Sequence, residues 1–141
     1  MFFKIIKINL IIFFIFSALH AAIIKDVKVS GNQRISLKSI IVFGKIQLNK
    51  NYDANDLNSV LKNLYKTDFF KDINLKINDE ILLVTVKENP IIEDLIINGI
   101  KNNKLKEFLL DQIVLKNRKS YIESSFLNDL TLIKNIIKQS G

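Results

Sequence analysis

One pattern in this chain occurs twice. Ile23-Ile24-Lys25-Asp26-Val27-Lys28-Val29-Ser30-Gly31 returns as Ile91-Ile92-Glu93-Asp94-Leu95-Ile96-Ile97-Asn98-Gly99, an offset of 68 residues, and each copy is a short apolar run closed by glycine. The register carries on: Tyr52-Asp53 precedes one amphipathic pattern and Tyr121-Ile122, 69 residues later, precedes another, with Leu48 matched by Leu115 or Val114. A repeat of this length constrains the architecture before any element is assigned, because each copy is one supersecondary unit with its own apolar face to bury.

In the first copy, Val27 and Val29 alternate with Asp26, Lys28 and Ser30, which predicts a half-buried strand over Ile24–Ser30. Gly31-Asn32 supplies a turn, Ser36 is placed to cap a short helix from Leu37 to about Phe43, and Gly44 is placed to close it. Asp53 stands before a second helix whose Leu57, Val60, Leu61, Leu64 and Tyr65 fall on one stripe, with Asn55, Asn58 and Lys62 on the wet side. Ile73, Leu75 and Ile77 then alternate with Asp72, Asn74 and Lys76, and Asn78-Asp79-Glu80 turns the chain back into Ile81–Val86. The last run is nearly continuous in apolar residues, as suits a strand flanked on both sides, whereas the charges of the preceding one suit an edge. Strand, helix, helix, strand, strand makes a two-layer α+β domain, both helices on one face of a three-stranded sheet.

The second copy repeats this in part: a strand over Ile91–Asn98, a helix from about Asn103 to Gln112 and a helix from about Ser124 to Lys138. Phe126, Leu127, Leu130, Ile133 and Ile137 form a stripe that needs a sheet, but no run equivalent to Ile73–Ile77 or Ile81–Val86 follows. Exposed apolar surface costs about 25 cal/mol per Å². The expectation is a complete domain over residues 22–90, then an incomplete one over 91–141 that lacks its last two strands, in a fragment of a longer protein. Glu88, Asn89 and Pro90 form the link between them, and Pro90, with fixed φ and no amide donor, should restrict the angle.

The beginning of the chain has the layout of a secretory leader: Lys4 and Lys7, an apolar stretch from Leu10 to Phe16, then small residues at Ala18, Ala21 and Ala22. Ile8–Leu19 falls short of the roughly 20 apolar residues of a membrane span. Residues 1–21 are therefore expected to be removed, with the cut after Ala21 preferred. The leader takes the single histidine, His20, with it, and the chain has no cysteine. Serine or cysteine nucleophile systems that use a histidine are then out of reach, and a zinc site would need carboxylates alone, so no enzyme activity and no cofactor are expected. Loss of Lys4 and Lys7 lowers the formal charge from +7 to +5, and the remaining lysines are interspersed with acids, the pattern of a solvated surface.

Ile24-x-x-Val27-x-Val29-x-Gly31-Asn32-x-Arg34-Ile35, Phe70-Lys71-Asp72-Ile73 and Val86-Lys87-Glu88-Asn89-Pro90 resemble the first POTRA domain of the BamA family of outer-membrane assembly factors, and the likeness runs from about Ile23 to Gly141. The second copy departs from that family at Ile100-Lys101-Asn102-Asn103 and at Ile122, which stands where Asp53 caps in the first. The resemblance implies a tandem β-α-α-β-β fold with a three-stranded mixed sheet, the second copy truncated. It also implies a periplasmic arm ahead of a C-terminal barrel, absent from this chain, in the outer membrane. Its partners would be unfolded outer-membrane proteins and accessory envelope lipoproteins. A POTRA-bearing transporter or translocation pore stays open as the alternative. Strand addition would use an exposed edge, here Lys71, Asp72, Ile73, Asn74, Leu75, Lys76 and Ile77. The competing role for Lys71, Asp72 and Lys76 is protection of an edge against aggregation.

The acid pairs Asp79-Glu80 and Glu93-Asp94 are read as turn and strand-entry residues rather than as metal or acid–base carboxylates, Phe70 as core, and Arg34 as a solvated turn residue with pairing across an interdomain surface as the alternative. KH domains share the element order, but their phosphate-clamping GxxG is absent where this chain reads Phe43-Gly44-Lys45-Ile46, so nucleic acid is not an expected partner.

Overall fold

The structure, a computed structural model, describes residues 22–140, so the expected leader and its cleavage point after Ala21 lie outside the described residues. The elements are β1 (Ala22–Ile24), β2 (Asp26–Ser30), α1 (Leu37–Gly44), β3 (Lys50–Tyr52), α2 (Ala54–Tyr65), β4 (Phe70–Asn78), β5 (Ile81–Glu88), α3 (Asn103–Gln112) and α4 (Glu123–Ser140). No helix among the described residues is long and apolar enough to cross a membrane.

The main sheet has the order β2-β5-β4, with β2 parallel to β5 and β4 antiparallel to it, so the apolar third strand is central and the charged second strand lies at the rim. Leu82, Val84 and Val86 of β5 point into one core with Val27, Ile73, Ile40, Val60 and Leu64, which places α1 and α2 on the same face of the sheet. The other face is wetter. There Leu83 lies in register between Lys28 and Lys76, and Thr85 between Ser30 and Asn74. The hairpin turns on two residues, Asp79 (φ 47) and Glu80 (φ 64), the left-handed pair that matches the twist of the strands it joins.

Asp53 caps α2 as expected, accepting from the Asp56 amide while Asp56 reaches back to the Asp53 amide. Ser36 caps α1 by accepting from Ser39. At the other end of α1 the expectation fails. Gly44 is the last helical residue, packed against Ile46 and Val60, and the left-handed position falls to Lys45 (φ 53). The amides of Lys45 and Ile46 close the helix on Val42 and Ile41.

The first predicted strand is two. The chain kinks at Lys25, whose amide donates to the Glu80 carbonyl, and β1 leaves the main sheet to pair antiparallel with β3, a strand the sequence pattern did not suggest. Three residues carry too little alternation to register as a strand. What holds β3 is Tyr52, buried in the core with its hydroxyl accepting from the Gln47 amide.

In the second copy α3 and α4 form where expected, but the strand over Ile91–Asn98 does not. Only Ile91 makes a bridge, to Ser120, and residues 92–98 run without strand structure. In the first copy β2 is held by its parallel ladder to β5, and no described residue lies beside 94–98 in that way. A small core of Leu109, Ile113 and Leu115 forms nonetheless, tied to α4 by Asp129, which is 5% exposed and accepts from the Val114 and Leu115 amides at 2.9 and 2.8 Å. Beside it the predicted stripe of α4 stays partly uncovered. Phe126, Leu130 and Ile133 line a groove of about 290 Å³ with Leu95 and Ile97, while Leu127 and Ile137 face solvent.

Candidate functional site

Two places combine exposure with geometry that is set by the fold: the outer edge of β4, and the link that follows β5. At the first, the register fixes which groups are free. Asn78 and Ile81 bracket the two-residue turn and so exchange both their hydrogen bonds, and the pairing alternates from there along the hairpin. Asn74, Lys76 and Asn78 therefore direct their backbone groups at β5, whereas Ile73, Leu75 and Ile77 direct theirs outward. One observation corroborates this parity independently: the Ile73 amide donates not to β5 but to the Tyr65 hydroxyl, at 3.1 Å.

Side chains follow the opposite logic. Ile73 is buried and Leu75 and Ile77 half-buried on the helix side, while Asp72, Asn74 and Lys76 are exposed on the other. Lys71 sits in a register shift between Phe70 and Asp72, the kind of irregularity that bends an edge and ends its pairing. The seven residues Lys71–Ile77 thus lie together on one rim. Phe70 is core, 3% exposed, and Phe69 packs beside it with its ring 5.6 Å from that of Phe43.

At the link, Glu88 gathers donors. Its carboxylate, 7% exposed, accepts from the amides of Gln33, Arg34 and Ile35 and pairs with Arg34 Nε at 3.0 Å. Arg34 also donates to the Asn89 carbonyl, and the Asn89 side chain donates to the Asp68 carbonyl. Burial pushes the Glu88 carboxyl up, but the three amides together with the Arg34 charge outweigh it and hold the group below its ordinary 4.5. Arg34 lies in an exposed bend, as a turn residue would, but its guanidinium pairs within its own copy rather than across an interdomain surface, in a clasp at the exit from the first copy. The next residues are held from the other side: the Pro90 carbonyl accepts from Tyr121, the Ile92 amide donates to Lys119, and Arg118 donates to the Ile92 carbonyl. A cleft of about 480 Å³ opens beside this junction, lined from both copies by residues that include Arg34, Phe69, Ile91 and Arg118.

The first acid pair takes its expected turn role, whereas Glu93 and Asp94, expected at a strand entry, stand in a run that forms no strand. Asp79 and Glu80 make the hairpin turn, with Glu80 pairing to Lys25, and Asp94 accepts from Asn117. Asp129 is the buried polar group that sequence reasoning missed. A lone acid on the wet flank of an apolar helical pattern gives no sign that two loop amides 14 and 15 residues upstream will close on it.

No family model matches the chain. Among curated proteins it is similar to the outer membrane protein assembly factor BamA of Neorickettsia risticii, 25% identical over 128 residues, which are 90% of this chain and 17% of that protein. It is also similar to BamA of Neisseria meningitidis serogroup B, 31% identical over 111 residues, 77% of this chain and 13% of that protein. The chain thus spans less than a fifth of the curated relatives it matches. Among solved structures it resembles the N-terminal domain of Omp85 from Thermosynechococcus elongatus, with TM-score 0.57 and 15% identity over 86% of this chain and 53% of that one. It resembles POTRA1-2 of the periplasmic domain of Omp85 from Anabaena as well, with TM-score 0.56 and 13% identity over 87% and 83%. In fold the chain is a POTRA polypeptide, and in sequence it is a relative of the BamA assembly factors.

Proposed function

We propose that this chain is part of the periplasmic arm of an outer-membrane β-barrel assembly factor, exported by its leader. Residues 22–90 are one POTRA domain and residues 91–141 belong to a second. The arm binds unfolded outer-membrane proteins, and accessory envelope lipoproteins, by adding their extended segments to the edge at Lys71–Ile77. Main-chain pairing suits this task because it reads backbone rather than sequence, so one edge can serve many clients. The observation that carries the reading is the outward turn of the backbone groups of Leu75 and Ile77, on a rim strand whose outer side pairs with no other strand among the described residues. The link at Glu88, Asn89 and Pro90, held on both sides, keeps that edge at a set orientation to the next unit.

The test is a titration of the isotopically labelled chain with an unfolded segment of an outer-membrane barrel protein. Amide shifts should concentrate on Lys71–Ile77. Shifts that cluster instead on α1 and α2 would show that the edge is merely protected by its charges and that clients bind elsewhere.

A further inference from the structure

Tyr65 ends α2 at the margin of the core, itself 42% exposed, and its hydroxyl holds the Ile73 amide. Ile73 is the first of the three β4 residues that face outward, and Leu75 and Ile77, the other two, carry no such cap. A strand laid along β4 would draw on all three, since each outward residue offers one donor and one acceptor to the ladder.

We infer that Tyr65 guards the β4 edge: its hydroxyl takes the rung at Ile73, so that an incoming strand pairs freely at Leu75 and Ile77 and must displace Tyr65 to extend further. The inference rests on the reading of β4 as the docking edge and adds a device that limits what it accepts. The chemistry of the occupant follows from the two rows that β4 presents. Ile73, Leu75 and Ile77 continue an apolar row over the helices, and Asp72, Asn74 and Lys76 a polar row on the wet face, with one acid, one amide and one base. An extended segment that alternates apolar with polar residues continues both rows. A uniformly apolar one would leave half its side chains against water, and a uniformly polar one would cover nothing.

The guard differs from simple edge protection by charge because it consumes a backbone donor. It is therefore separable by a substitution that leaves every charge and nearly all of the volume in place. Tyr65→Phe removes only the hydroxyl.

The experiment compares the chain and its Tyr65→Phe variant by amide hydrogen exchange and by titration with a capped eight-residue peptide alternating valine and threonine. In the unsubstituted chain the Ile73 amide should exchange at least about tenfold more slowly than those of Leu75 and Ile77, and the variant should erase that difference. Freed of its competitor, the edge should bind the peptide roughly 2- to 10-fold more tightly in the variant, the range one net hydrogen bond supplies. Peptide shifts on β4 with unchanged affinity, or an Ile73 amide that exchanges as before in the variant, overturn the guard and leave the docking edge standing. Absence of peptide shifts from β4 in both proteins overturns the docking edge and the guard together.

Discussion

The two copies of the repeat carry the same opening pattern and come to different ends. Asp26–Ser30 is a strand and residues 94–98 are not, although Leu95 and Ile97 stand where Val27 and Val29 do. In the first copy the run lies parallel to Ile81–Thr85, which pairs one side of its backbone, and its apolar face packs into the core with residues of α1 and α2. In the second, the run has no such neighbour among the described residues, and the groove beside it stays open. Alternation of apolar and polar residues is thus a capacity to be a strand. Pairing makes it one.

The pair of glycines that closes the two runs gives the sharpest way to break this comparison. Gly31 and Gly99 share the same left-handed backbone, φ 81 and 84, but a Cβ on Gly31 would come within 2.1 Å of the Val86 carbonyl oxygen, whereas one on Gly99 would meet nothing within 4 Å. Gly31→Ala should therefore cost the first copy at least about 3 kcal/mol, and Gly99→Ala only about 1 kcal/mol of backbone strain. Chemical denaturation followed by circular dichroism reads the difference. Equal effects would mean that the close approach of β2's turn to β5 is not what fixes the first copy.

A smaller contrast lies in the helices. Leu64 is fully buried against the sheet, and Leu127, from the stripe of α4, is 55% exposed. Leu64→Ala should destabilise by about 2–5 kcal/mol, as truncations in a closed core do, and Leu127→Ala should stay within about 0.5 kcal/mol. A large loss at Leu127 would show that α4 is covered in solution by something the first copy does not need.

The smallest expected effect concerns the link. Because the folded state holds Glu88 below its ordinary 4.5, the clasp's contribution is complete above that value and fades as the pH falls through the lower folded one. Melting temperature should thus drop on acidification below about pH 4.5 by more in the unsubstituted chain than in Glu88→Gln, which should itself be destabilised near neutrality by about 1–3 kcal/mol. If acidification affects both proteins alike, the Glu88 charge is not what holds the loop.

Much of this was legible in the residues. The order of the helices and of the three main-sheet strands, the Asp53 and Ser36 caps, the rim position of the charged strand and the central position of Ile81–Val86 all follow from local chemistry or from periodicity, which a single segment carries within itself. Apart from the end of α1, where Lys45 and not Gly44 takes the left-handed position, the misses share a cause too. The kink at Lys25, the pairing of β1 with β3, the Arg34–Glu88 clasp and the Asp129 cap each join residues distant in the chain, from 14 residues for Asp129 and Leu115 to 55 for Lys25 and Glu80, and nothing in either partner alone announces the other.

The sequence by itself determined one α+β unit, a recurrence of its opening pattern and its likeness to the BamA assembly factors, because turn residues, caps and apolar spacing act over one or two turns of chain. Only the tertiary structure decided which alternating run became a strand, which backbone groups of β4 face outward, and that Tyr65 occupies one of them. Those outcomes depend on a hydrogen-bonding neighbour brought from elsewhere in the chain, and no property of the run itself supplies one.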